Sequence, residues 1–242
     1  MTAYRAEELL IAVIADLLAG CRHVAVGMAS PIPGSAALLA RHRSGGAMRV
    51  SILGDPENTF WSDGGKELFD CAAQGRIDAF FLSGAQIDGQ ANVNLVGIGD
   101  YPRSRPRFSG SFGAAYLYHL VPKVILFRPD HSPRVFVPKV DFISAAGTSP
   151  PNVYRPGGPA ALVTGSARFS FDRARGGFRL ESVHPGNDVA AIRRKTGFDF
   201  GEPTTIPTTT PPDAETLALI RGPIRQEIAR PYPRFATQLT SN

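Results

Sequence analysis

Three short apolar runs, "HVAVGM" at 23–28, "MRVSIL" at 48–53 and "IDAFFL" at 77–82, alternate with segments of helical pattern, and this spacing constrains the fold more than any other feature. Strands that follow one another through a helix pair in parallel, because the crossover returns the chain to the same edge of the sheet. Near-continuous apolar character means both faces of such strands are covered, here by the intervening helices.

The helical segments carry their own punctuation. Thr2 is placed to cap a helix from about Ala3 to Leu18, with Gly20 as its stop and Leu9, Val13 and Leu17 in an apolar stripe. Glu7, Glu8 and Asp16 interrupt "LLIAVIADLLAG" and no basic stretch precedes it, so it reads as an amphipathic helix and not a signal or anchor. "PIPGSAALLARHR" reads as a turn and a helix, and "KELFDCAAQG" as a helix.

Past residue 94 the pattern changes. "GSFGAAYLYHL" is a glycine-rich entry into a helix, and "KVILFR" is another buried strand. "RVFV", "ALVTG", "ARFSFD" and "FRLESV" read as shorter β runs, the last two joined as a hairpin through "RARGG". "NDVAAIRRKTG" is a capped helix with Gly197 just past its end, and residues 201–242 form an extended Pro/Thr-rich tail with a short helix from near Pro212. The expected fold is α/β: an open, mainly parallel sheet flanked by helices, with added C-terminal β strands, in a single domain over 1–242.

Composition narrows the function classes. Lys and Arg number 26 against 21 Asp and Glu, giving a net charge of +5, but the arginines are scattered without a basic run or stacked aromatics. That argues against nucleic acid and is compatible with a phosphate-bearing small molecule. Cys21 and Cys71 supply neither a disulfide framework nor metal-ligand spacing, which points to the cytoplasm and no metal, and the charges interrupting the N-terminal run point to no membrane association. A ligand-sensing regulator of related fold is disfavoured, since only one helix has room before the first strand.

The loop after "IDAFFL" reads "SGAQIDGQANVN". Gly, Asn and Asp are ordinary turn residues, but loops at the carboxyl ends of strands are where open α/β sheets hold ligands. Asp88 reads as a turn cap in preference to an acid. Tyr116 and Tyr118 project to different helix faces, so at most one meets a pocket.

"GAQID", "NVN", "IGDY", "RFSGSFGA", "KVDFIS" and "TGFDF" occur in this order. The ordered set resembles the β subunit of the family I CoA-transferases, of the glutaconate CoA-transferase type, over nearly the whole chain. The resemblance implies an αβ or α2β2 assembly with an α-type subunit. It implies a CoA thioester held between the subunits, with coenzyme A entering as part of the substrate and no permanently bound cofactor. It also implies a β-subunit glutamate at the end of the strand matching "MRVSIL", and there this sequence has Ser51.

An unactivated serine hydroxyl needs a positioned base, and no histidine lies close to Ser51 in sequence, so Ser51 reads as a small residue that makes room for substrate. Asp55 and Glu57 in "LGDPEN" are possible substitutes for the carboxylate; the favoured reading is that this loop shapes the pocket, with Asn58, Phe60 and Trp61. The departure resembles the β subunits of cholesterol ring-cleaving hydrolases in the same superfamily, where the resemblance implies that the acid/base glutamate comes from the α subunit. The implied reaction adds water to a cyclic oxo-acyl-CoA and breaks a carbon–carbon bond; CoA transfer is the alternative.

Such chemistry develops negative oxygen twice, and each preorganised N–H donor is worth about 3 kcal/mol of barrier. The expected catalytic residues are Gln86, Gly110 and Gly113, with Gly84, Ala85 and Ala114 near the acyl group and Asn92 and Asn94 fixing the loop. Arg103, Arg105 and Arg107 either meet the CoA phosphates or form a solvated or partner-facing surface.

Overall fold

In the computed structural model, residues 3–59 and 61–239 are described. The chain divides into two compact units. The first is built from residues up to Cys71, Arg76–Phe81, and Thr210 onward; the second from Ala72–Gly75 and Leu82–Thr209.

The first unit opens with α1 (Ala6–Leu17), β1 (His23–Val26), α2 (Pro31–Arg43), β2 (Arg49–Ile52), α3 (Gly64–Ala73) and β3 (Ala79–Leu82). Both β2 and β3 pair in parallel with β1, whose four residues are all buried. Each expected strand is present, shortened by a residue or two at its ends.

Three details differ from the sequence reading. Thr2 lies outside the described residues; Arg5 caps α1 instead, its N–H bonded to Glu8 at 2.8 Å. The helix is not amphipathic, because Glu8 to Ala15 are all buried. Glu8, fully buried, is matched by Arg221, whose Nε donates to Oε1 at 2.6 Å. "PIPG" is not a turn but the first helical turn of α2, since proline without an N–H is well placed at a helix start.

The tail is also more ordered than one short helix. Asp213 caps α6 (Ala214–Leu219) by accepting from the Thr216 N–H, and a π-helical turn (Ile220–Ile224), α7 (Arg225–Ile228) and α8 (Pro233–Gln238) follow. Leu217, Ile220, Ile224, Ile228 and Phe235 give this stretch a buried face of its own.

The second unit contains the short hairpin β4 (Gln86–Ile87) and β5 (Val93–Asn94), then α4 (Ala114–Leu120), β6 (Lys123–Arg128), β7 (Pro159–Thr164), β8 (Ala167–Asp172), β9 (Gly177–Val183) and α5 (Val189–Lys195). β6 and β7 are parallel; β7, β8 and β9 are antiparallel, with Asp172 opposite Gly177 across the expected hairpin. "RVFV" is not a strand: the Val135 and Phe136 N–H groups turn back to Ser132 O, and only Phe136 makes a bridge, to Ile87. Gly197 is required by space, since a Cβ there would lie 2.5 Å from Phe136 O.

Candidate functional site

In the second unit, the chain leaving β3 passes through Ser83, Gly84 and Ala85 into β4. Gly84 is needed for close approach: a Cβ there would stand 2.6 Å from Val93 Cγ1 and 2.9 Å from Gln86 O. The hairpin is tied by side chains rather than by length. Asp88 accepts from the N–H groups of Gln90 and Asn92 at 3.1 and 3.0 Å, which makes it the turn cap. Asn92 accepts from Gly147 N at 3.1 Å, and Asn94 accepts from Val96 N at 3.0 Å.

Gln86 is the centre of this loop. Its Oε1 accepts from Asn94 Nδ2 at 2.7 Å and from the Asp141 N–H at 2.9 Å; its Nε2 donates to Asp141 Oδ2 at 3.1 Å. Two donors on one side and a carboxylate on the other fix which amide atom is which. Asp141 Oδ2 also accepts from Gly99 N at 2.7 Å. One hydrogen-bonded network therefore joins "GAQID", "NVN", "IGDY" and "KVDFIS". An amide nitrogen has two hydrogens, and the network among these residues uses one of those on Gln86.

Gly84, Ala85, Gln86 and Gly110 line one cavity of about 790 Å³, within the range of small-molecule sites. Leu95, Ile98, Phe108 and Val135 supply apolar wall, and Arg128, Asp130 and Arg134 supply charge. Gly113 (φ 63°) is the N-cap of the seven-residue α4 and Ala114 is buried, but neither lines the cavity, nor does the buried Asn92. Arg103, Arg105 and Arg107 are exposed and outside it; Arg107 donates to Pro102 O at 2.9 Å and lies over the Tyr101 ring. Tyr118 is in the core, bonded to Ala91 O, while Tyr116 is exposed.

The remaining expected residues belong to the first unit. Ser51 is fully buried in β2, opposite Ala25 of β1, and a histidine does meet it: His23 Nε2 lies 3.0 Å from Ser51 Oγ. Distance in sequence did not show this pair, because parallel register brings together residues 28 apart. His23 Nδ1 faces the Arg76 carbonyl at 2.9 Å, so the proton sits on Nδ1 and Nε2 accepts from the serine. Burial, only partly opposed by that carbonyl, holds the His23 pKa below its usual value.

Asp55 is fully buried and accepts from Arg230 Nε at 2.8 Å, Asn58 Nδ2 at 2.7 Å and Glu57 N at 3.2 Å. Burial works to raise its pKa, but these donors outweigh it and hold the carboxyl below the usual range. Glu57 is exposed and pairs with Arg230 at 2.5 Å. Asn58 is buried and its Oδ1 accepts from Arg41 at 2.8 Å, while buried Trp61 lies 6.1 Å, centroid to centroid, from the His23 ring. Phe60 lies outside the described residues. The "DPEN" loop is thus a clasp between α2, β2 and the C-terminal helices.

A family model described as Coenzyme A transferase matches residues 8–195. The chain belongs to the Coenzyme A transferase family. This family member is 31% identical over 151 residues to a glutaconate CoA-transferase subunit of Acidaminococcus fermentans, covering 60% of this chain and 56% of that one. It is 28% identical over 166 residues to the cholesterol ring-cleaving hydrolase IpdB subunit of Rhodococcus jostii, covering 64% and 62%. The alignments thus span about three fifths of these relatives' lengths. A solved structure of the decarboxylase AibA/AibB superposes with a TM-score of 0.77 at 26% identity, over 90% of this chain and 94% of that one.

Sequence reading missed His23, Arg128, Arg134 and Asp141. Arg128 had a usable signal: it is a charged residue at the carboxyl end of the buried run "KVILFR", where ligands gather in open sheets. Asp141 had none beyond its place in "KVDFIS".

Proposed function

We propose that this CoA-transferase family chain is the β-type half of an enzyme that opens a carbon ring of a steroid-derived cyclic oxo-acyl-CoA by adding water. The observation that carries the reading is in the first unit. Among the described residues near the end of β2, Ser51 is sealed against His23, Asp55 is buried under Arg230, and Glu57 is turned to solvent in an ion pair. None of these is placed as a carboxylate that attacks a thioester.

In the proposed reaction, hydroxide adds to the ring ketone and the bond to the α-carbon breaks. The former ketone carbon becomes the new carboxylate, and the electron pair of the broken bond passes into the thioester as an enolate, which is then protonated on carbon. The residual N–H of Gln86 and the glycine backbone at Gly84 and Gly110 supply donors to developing oxyanions beside apolar walls that weaken competition from water. The acid/base group that activates water comes from an α-type subunit. Exposed apolar side chains support such an interface: Phe112 is 71% and Tyr154 85% exposed in the isolated chain. Coenzyme A enters with the substrate, and the reaction is expected in the cytoplasm; no helix among the described residues is long and apolar enough to cross a membrane.

CoA transfer is the second reading, favoured by the similarity to a glutaconate CoA-transferase subunit. The two are separated by running the reaction with the α-type partner in ¹⁸O-water. Hydrolytic ring opening puts one label in the new carboxylate and leaves CoA attached; transfer moves CoA to an added carboxylic acid and labels nothing. Release of CO₂ without ring opening overturns both.

A further inference from the structure

The second unit has another pocket, of about 230 Å³, whose lining shares no residue with the cavity at Gln86 and includes Thr148, Ser149, Arg155, Phe171 and Arg173. Arg173 donates to the carbonyl of Pro122, just before β6, whereas Arg128, the last residue of β6, lines the cavity at Gln86. At about 3.3 Å per residue the six residues of β6 set the two sites about 20 Å apart. The loop 147–157 that walls the pocket is pinned by glycines. A Cβ on Gly147 would lie 2.1 Å from Gln90 O, and one on Gly157 2.5 Å from Val121 O. Arg155 is thereby held half-buried, its guanidinium 5.3 Å from the centre of the Tyr118 ring, donating to Tyr118 O at 3.1 Å, Gly157 O at 3.1 Å and Ser149 Oγ at 3.2 Å. Arg173 stands at the exposed rim, its Nε donating to Pro159 O at 3.3 Å and its Nη2 to Gly158 O at 3.1 Å.

Every one of these acceptors is neutral. Among the described residues no acid lines the pocket and neither arginine makes an ion pair. Asp172, beside Arg173, turns to its own hairpin and accepts from the N–H groups of Ala174 and Arg175 at 2.9 and 3.1 Å. The first unit does the opposite, pairing Arg221 with Glu8 and Arg230 with Asp55. Burial holds the Arg155 pKa below its ordinary value, and the charge of Arg173 acts in the same direction. Two cations drawn together without a counter-charge favour an anion beside them.

We propose that this pocket is a second binding site, separate from the cavity at Gln86, for a phosphoryl dianion, either inorganic phosphate or the head of a phosphate monoester. Two negative charges match two guanidiniums, and the planar fork of each suits paired phosphoryl oxygens. A carboxylate, with one charge, would leave one arginine unmatched. Ser149 Oγ accepts from Arg155, and its own hydrogen can be donated to the anion. A volume of about 230 Å³ holds a phosphate with a few waters of about 30 Å³ each, but falls below the range that encloses a larger ligand. Gly147 N donates to Asn92 Oδ1, so an anion that fixes this loop also braces the β4–β5 turn.

The test titrates inorganic phosphate into the full chain by calorimetry, at constant ionic strength with chloride as the balancing ion. Saturable binding at one site per chain is expected, weakened at least about tenfold in Arg173→Gln, as loss of a charge-assisted pair implies. Added phosphate should also raise the melting temperature of the wild type and not that of the variant, a difference that loss of the carbonyl contacts alone would not produce. No saturable binding to the wild type, or equal affinity in Arg173→Gln, overturns the proposal. Saturating coenzyme A should leave phosphate affinity unchanged; competitive displacement would place the anion in a thioester site and overturn a separate one. Glycerol 2-phosphate distinguishes the two sources. Displacement of phosphate by it supports a monoester site, and failure to displace supports a site for inorganic phosphate. Should Arg173→Gln fail to fold, Arg173→Lys, which keeps the charge but not the fork, and Ser149→Ala carry the same comparison, and undiminished phosphate affinity in both contradicts the proposal.

Discussion

The Ser51 hydroxyl donates to Nε2 of His23 across 3.0 Å, with both residues buried and the imidazole fixed by the Arg76 carbonyl. The pair has the polarity of a nucleophile and its base, but it sits at full burial between neighbouring strands, where no thioester reaches it. Its role is to satisfy two polar groups inside a sheet.

Ser51→Ala should therefore cost stability and not chemistry. Removing the donor leaves a buried ring nitrogen unmatched, worth about 1–3 kcal/mol, read as a lower urea midpoint. The kcat of the assembled enzyme should change less than about threefold. A loss of several powers of ten in kcat at unchanged stability would make Ser51 a nucleophile.

Arg230→Ala and Glu57→Ala separate the clasp from catalysis. Without Arg230 the buried Asp55 loses its charge partner, and the urea midpoint should fall. Glu57→Ala removes an exposed ion pair and should cost under about 0.5 kcal/mol, with kcat retained. Abolished turnover in Glu57→Ala would return the catalytic carboxylate to this chain.

Gln86 is tested in two steps because its amide is also structural. Gln86→Ala deletes three hydrogen bonds and should lower both the melting temperature and kcat. Gln86→Glu keeps the acceptor but sets a carboxylate against Asp141, removing the N–H offered to a ligand. It should reduce kcat by about 100-fold with KM little changed. A change confined to KM would place Gln86 in ground-state binding.

Stability should fall on mild acidification. Burial drives the pKa of His131 and of His184 down to about 4, whereas in the unfolded chain each titrates near 6.5. Both are neutral in the fold, with His131 held between Thr164 and Thr196 and His184 against Thr209. The unfolded chain binds more protons between about pH 6.5 and 4, so folding free energy is full above about pH 6.5 and declines as pH falls through that window, by about 3 kcal/mol per histidine at most. Melting temperatures at about pH 7.5 and 5 read this out, on either side of the unfolded-state titration, and equal values would contradict it.

What the sequence made legible was local or periodic. The parallel strands stood out because runs buried on both faces lack alternation, and the β8–β9 hairpin and the start of α5, where Asp188 accepts from the Ala191 N–H, are set by neighbours a few residues apart. "RVFV" failed because β propensity cannot reveal that its backbone donors turn back to Ser132. Among the candidate site residues, Gly84, Ala85, Gln86 and Gly110 line one cavity, and all four stand in glycine-containing loop words. Arg230 on Asp55 and Arg221 on Glu8 join residues 175 and 213 positions apart. No periodicity encodes such pairings, and the first of them is what makes Asp55, an apparent functional acid, a structural one.

In the proposed function, this chain carries binding groups and oxyanion donors but not the acid/base group that activates water. Turnover of a cyclic oxo-acyl-CoA by the purified chain alone, compared with the chain co-expressed with the proposed α-type partner, tests this. No turnover above the uncatalysed rate is expected for the chain alone, and full activity for the complex. Equal turnover per mole of this chain in the two preparations would contradict it.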